Sequence, residues 1–192
     1  MFTPLTFTAF MYNINMKRES LSQESYEKIC KAENTPVHVI CHCRCVSNVA
    51  VLIAKALIKE GFDLDLVLLR NSCLLHDISR AKPDHAERGY ELLVKLGYLD
   101  EAAIVREHMR HNPSSSCEDF TELDIVCIAD RLVLEDCFVG LEERMAYVLE
   151  KSKDNLEAIR IIRNKKAELK IVLGKIEEKV GKTIEEIILE GE

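Results

Sequence analysis

Along most of this chain apolar residues recur every three to four positions, the spacing that lines one face of an α-helix, and no run of strand-like alternation bounded by turn residues stands out. Ser20-Leu-Ser-Gln23 has the form of a capping box and predicts a helix through Glu33, which Asn34-Thr35-Pro36 ends. From about Pro36 to Glu60, the residues Val39, Val46, Val49, Ile53, Ala54 and Leu57 share one face, and Gly61 stops the helix. Leu64 to His76 is so continuously apolar that it is expected to be the central buried helix. Asp84-His-Ala-Glu87 repeats the capping-box pattern and opens a helix to about Leu96. Asp100 is expected to cap the next, which reaches His108 or His111. Asn112 to Glu118, with Pro113 and three serines, reads as a loop. A helix over Thr121–Asp136, a short one from Leu141 and a long one from Asn155 to Val180 complete an all-α fold.

Composition narrows this to one compact domain: 192 residues, 47% hydrophobic and 31% charged, with only 7 Gly and 4 Pro. A net charge of −7 and the lack of a basic, aromatic-interrupted stripe argue against a nucleic-acid polymer as partner, while a single small phosphate ester remains within reach of local cations. Eight irregularly spaced cysteines in a chain this long are expected to be reduced thiols of a cytoplasmic protein. Met1 to Asn15 is mildly apolar, but Lys17 and Arg18 follow it and no small-residue cleavage site is evident, so it does not read as a signal peptide. Residues 1–19 are expected to be an extension that could be disordered, with Met16 a candidate start. No later run is expected to approach a membrane span. Residues 20–150 read as the domain proper and 151–192 as a helical extension packed on it, with a homodimer through the long last helix as the minor alternative.

His76 and Asp77 stand side by side at the exit of the most apolar helix. A lone His-Asp pair is weak evidence, but His42, His85, His108 and Asp130 each lie on a different predicted helix or helix end and could project toward the same cavity. Imidazole nitrogens mixed with carboxylate oxygens suit divalent Fe, Mn, Co or Zn better than Ca or an all-sulfur site. Two such cations roughly 3.5–4 Å apart can share a hydroxide and neutralise charge growing on a phosphoryl group. Asp130 sits in a helix otherwise as apolar as Ile125, Val126, Ile128 and Leu132, where an inward carboxylate needs a cationic or metal partner.

The order and local context of these residues resemble the HD-domain superfamily of metal-dependent phosphohydrolases. The likeness lies in His42-Cys-Arg-Cys-Val46, Leu74-Leu-His-Asp-Ile78 and Ile128-Ala-Asp-Arg-Leu132, and covers about Tyr26 to Glu150. His85-Ala86 and Ile104-Val-Arg-Glu-His108 look like the two extra histidines of dinuclear members, such as bacterial hydrolases that split diadenosine tetraphosphate. The resemblance implies a helical HD bundle in which His42, His76, Asp77 and Asp130 bind one ion and Asp77 bridges to a second held by His85 and His108. It also implies a nucleotide or other small phosphate ester as substrate, with Asp77 and Arg80 as the catalytic pair. Arg80 stands where many such domains place a lysine; Lys82, Arg44 and Arg131 are weaker candidates for gripping phosphate, as ready to be solvated or ion-paired. The same ligands would also serve a di-iron oxygenase, or a non-catalytic nucleotide-binding regulatory domain.

Three local alternatives remain. His38 and His42 have zinc-pair spacing, but Val39 stands where a zincin has Glu, which leaves His38 near the cavity mouth or an ordinary histidine. His111 competes with His108, three residues away on the same face, and Ala103-Ile104 favours His108 as the inward one. Cys41, Cys43 and Cys45 diverge around a helix axis and read as buried free thiols rather than a structural zinc site.

Overall fold

A computed structural model describes residues 19–113 and 119–191; the expected N-terminal extension up to residue 18, with the candidate start at Met16, and the serines of the predicted loop lie outside the described residues. Nine helices and one two-stranded hairpin follow in order: α1 (Gln23–Glu33), α2 (Val37–Lys59), α3 (Leu66–Leu75), α4 (His85–Leu96), α5 (Leu99–Glu107), α6 (Glu122–Asp130), β1 (Val133–Leu134), β2 (Cys137–Phe138), α7 (Gly140–Lys151), α8 (Leu156–Val180) and α9 (Ile184–Leu189) among the described residues. The fold is all-α, as the periodicity predicts.

Helix positions follow the apolar spacing, while several predicted caps do not form. Ser22, not Ser20, caps α1, its hydroxyl accepting from Ser25 N, and Asn34 closes the helix in the left-handed region at φ 54°. Asp65 caps α3 by accepting from Val67 N and Leu68 N. Asp84 adopts φ 52° and its side chain caps nothing; Glu87, the expected other half of that box, pairs with Arg106 on α5 at 2.9 Å. Asp100 lies inside the first turn of α5, whose cap position is Tyr98, and there it favours the helix through the macrodipole instead.

The helix expected over Thr121–Asp136 stops at Asp130. Val133 and Leu134 then pair antiparallel with Phe138 and Cys137, and Glu135 turns the chain at φ 55°. Apolar periodicity runs on through this segment, and the turn sets the Glu135 carbonyl where His42 uses it across the fold. The terminal α9, not expected from the apolar pattern, opens with a capping box between Thr183 and Glu186.

Two apolar clusters hold the elements together. The larger is centred on α2 and gathers Val46, Val49, Ile53 and Leu57 with Leu69, Ile125, Ile128, Val172, Ile176, Ile184 and Ile188, so α8 and α9 share the core of the preceding helices. The smaller, under α1, α4 and α5, contains Tyr26, Leu74, Leu75, Ile78, Leu93 and Val105. Helix α3 is a wedge between them, giving Leu69 and Cys73 to one and Leu74 and Leu75 to the other. His76 and Asp77 leave its end where the clusters meet. Contrary to expectation, α2 is by length and composition apolar enough to cross a membrane, with mean hydropathy 1.6. Val39, Val46, Val49, Ile53, Ala54 and Leu57 of this helix are buried in the protein.

Candidate metal centre

Six side chains from five parts of the fold meet at the end of α3. They fall into two groups of three, His42, His76 and Asp130, and Asp77, His85 and His108, and within each group the donor atoms lie no more than 4.8 Å apart. His42 comes from the middle of α2, Asp130 from the last residue of α6, His85 from the first residue of α4, and His108 from the position that ends α5. Asp77 joins the groups: Oδ2 lies 3.8 Å from His76 Nε2, and Oδ1 lies 3.1 Å from His85 Nε2 and 3.6 Å from His108 Nε2.

Backbone carbonyls orient three of the rings. His42 Nδ1 donates to Glu135 O at 2.8 Å, His76 Nδ1 to Cys73 O at 2.7 Å and His108 Nδ1 to Val105 O at 2.6 Å. A carbonyl oxygen only accepts, so Nδ1 carries the proton and, in a neutral ring, Nε2 offers a lone pair. Each of those lone pairs faces a carboxylate oxygen. His42 Nε2 is 3.0 Å from Asp130 Oδ1, and His76 Nε2 is 3.8 Å from the same atom. His76 Nε2, His108 Nε2 and Asp77 Oδ1 are buried and make no hydrogen bond. Acceptors turned toward acceptors in a buried site cost free energy unless a cation stands between them, either a second proton on the ring or a metal ion. Two imidazole–carboxylate donor sets of this kind fit a divalent transition metal.

Electrostatics agree with that demand for positive charge. Burial alone would raise the Asp77 carboxyl, but His76, His108, His85 and Arg80 hold it well below the usual carboxylate range. Burial also opposes ionisation of Asp130, and there the His42 and His76 rings beside it prevail and lower it. Burial disfavours the His76 imidazolium, yet Cys43, Asp77 and Asp130 around it outweigh that and raise its pKa well above the ordinary value. Carboxylates kept ionised in a buried pocket are what a metal site needs.

The other candidates from the sequence lie outside both groups. His111 Nε2 is 2.6 Å from Asp124 Oδ1, away from the six, and Asp124 also accepts from Thr121 N and Oγ1, so that pair ties the end of α5 to the start of α6. His38 is exposed. Lys82 pairs with Glu33, which also accepts from Ser79 Oγ. Arg44 stacks 5.9 Å from the Tyr26 ring centre, and Arg131 donates to His111 O at 2.7 Å. Arg80 alone of the four cations touches the centre, its Nη1 3.0 Å from His85 Nε2 and its Nε 3.7 Å from Asp77 Oδ2, with 47% of its side chain exposed. Cys43 is buried, and Cys41 and Cys45 are half-buried and free; burial pushes the Cys45 thiol up to about 11. The main-chain partners Cys73, Val105 and Glu135 are functional groups that side-chain patterns could not signal.

A helical wedge that delivers adjacent His and Asp into a ring of histidines closed by a distant Asp defines a metal-site domain of HD type. The HD domain matches residues 39–135, and the chain belongs to that family. HD domains bind divalent metals and are in general metal-dependent phosphohydrolases, with some non-catalytic members. The chain is similar to an uncharacterized protein of Methanocaldococcus jannaschii, 32% identical over 159 residues that make up 79% of this chain and 85% of that one. No solved structure matches it significantly.

Proposed function

We propose that this chain is a metal-dependent phosphohydrolase acting on a nucleotide or another small phosphate ester, with two divalent transition-metal ions, drawn from Fe, Mn, Co or Zn. The observation that carries the reading is the facing of buried acceptors: His76 Nε2, His108 Nε2 and Asp77 Oδ1 without hydrogen bonds, and His42 Nε2 turned on Asp130. His42, His76, Asp77 and Asp130 would hold one ion and Asp77, His85 and His108 the other, which is the likeness to the dinuclear diadenosine tetraphosphate hydrolases. When bound, such ions supply an activated water nucleophile and Lewis acidity toward a phosphoryl oxygen.

The chain's own residues do the rest. Asp77 spans the two groups with one oxygen each, which fixes their separation. The three Nδ1–H donations to main chain hold the rings at one tautomer and one orientation, so little reorganisation is left for the reaction. Arg80 stands half-exposed at the mouth, where its planar fork can take two oxygens of a phosphate and turn the ester toward the acid-histidine floor.

Metal analysis of freshly purified protein, joined to a panel of phosphorylated metabolites assayed for phosphate or nucleotide release with Mn or Fe restored, tests this. The doubly substituted His76→Ala, Asp77→Ala protein is expected to lose its metal and at least ~100-fold in rate. Wild-type rates from that variant would sink the reading.

A further inference from the structure

A guanidinium already stands against the ring of His85. Arg80 Nη1 lies 3.0 Å from His85 Nε2 and 3.5 Å from its Nδ1, so it is set against the ring rather than in line with one lone pair. Asp77 Oδ1 stands 3.1 Å from His85 Nε2 and makes no hydrogen bond. A divalent ion held by these atoms would have to sit beside that fixed positive charge, and like charges so close repel. Arg80 Nε approaches the same carboxylate from its other oxygen, at 3.7 Å from Asp77 Oδ2, so the guanidinium stands beside two of the three groups of the second trio. The His42, His76 and Asp130 trio has no such neighbour among the contacts of Arg80.

We infer that Arg80 competes with a cation for the Asp77, His85 and His108 trio, so that the second ion enters only as the guanidinium swings away, and an anion at the mouth that captures the freed guanidinium tightens the second ion. The inference rests on the two-ion reading above and gives its two subsites unequal affinity. It also makes Arg80 a coupling device: the phosphate that it grips is the ligand that opens the second subsite. The release is cheap in structural terms because the side chain is half-exposed and its helix-free segment, Asp77 to Asp84, is a chain of turns. His85 stays in place, carried on the first turn of α4.

The test counts ions on the full-length protein after chelator treatment, titrating Mn2+ and reading free Mn2+ by electron paramagnetic resonance, with and without inorganic phosphate. Wild type is expected to bind one Mn2+ tightly and a second more weakly, the second tightened by phosphate. Arg80→Ala and Arg80→Gln are expected to tighten the second ion by roughly 5–150-fold, leave the first unchanged and abolish the phosphate effect, the usual size of a coupling between sites. Adding His85→Ala to Arg80→Ala should return the protein to one ion. An unchanged second affinity in both Arg80 variants overturns the inference while the two-ion reading stands; a wild type that binds no Mn2+, with variants alike, overturns both.

Discussion

His108 and His111 are one helical turn apart and yet are bound to different partners. The His108 ring gives its Nδ1 proton to Val105 O and turns Nε2 to Asp77, whereas His111 spends its Nε2 on the buried Asp124. The expected consequence separates them cleanly. His108→Ala should lower the metal content of the purified protein by up to one ion. His111→Ala should leave metal content as it is and cost about 1–3 kcal/mol in urea denaturation, because Asp124 loses a partner in a buried setting. Part of this was legible in the sequence: Ile104 does turn inward one turn before His108, although Ala103 is exposed. The Asp124 partner of His111 and the Glu33 partner of Lys82 were not, since nothing in a helical pattern says which two distant helices will touch. The same holds for the three carbonyls that fix the rings, because every residue carries one.

The six site residues depend on helix ends more than on helix middles. Only His42 lies in the interior of a helix; the others stand at or just past the termini of α3, α4, α5 and α6. Element existence was readable from apolar spacing, because burial on one face is what makes a helix stable here. Element ends were less so, as the unformed boxes at Ser20 and Asp84 and the hairpin at Val133–Phe138 show, since a cap is decided by a single side chain choosing among several acceptors. The spacing between α4 and α5 is set by Gly89, where an added Cβ would come within 2.9 Å of Val105 Cγ1 and 3.6 Å of Ile78 Cγ2. A bulky residue there pries apart the two helices that carry His85 and His108. Gly89→Leu is expected to lower stability by about 1–3 kcal/mol, as overpacking does, and to weaken the second metal more than the first. Denaturation and metal titration on the same preparation check it.

At the scale of the whole molecule, the C-terminal helices are part of what makes the centre possible. Leu169, Val172, Leu173, Ile176, Ile184, Ile187 and Ile188 are all buried in the large cluster around α2. Removing the chain after Lys151 discards seven side chains worth about 1.5–3 kcal/mol each, on the order of 10–20 kcal/mol together, against a total stability of roughly 5–15 kcal/mol for an ordinary domain. The truncated protein is expected to lose cooperative thermal unfolding by circular dichroism and to bind no metal, even though every candidate ligand is retained. The sequence leads one to expect the apolar face of α8 to pack on the same domain, but it does not say that α2 is the helix it meets.

Helix α2 carries a further consequence, one of timing. A segment hydrophobic enough for a bilayer leaves the ribosome early, while its last cover, Ile184 to Ile188, is made roughly 125 residues later. At ~5–20 residues per second that is a wait of about 6–25 s. During synthesis the nascent chain must therefore keep its greasiest helix out of trouble, with α3 as the first shelter to arrive.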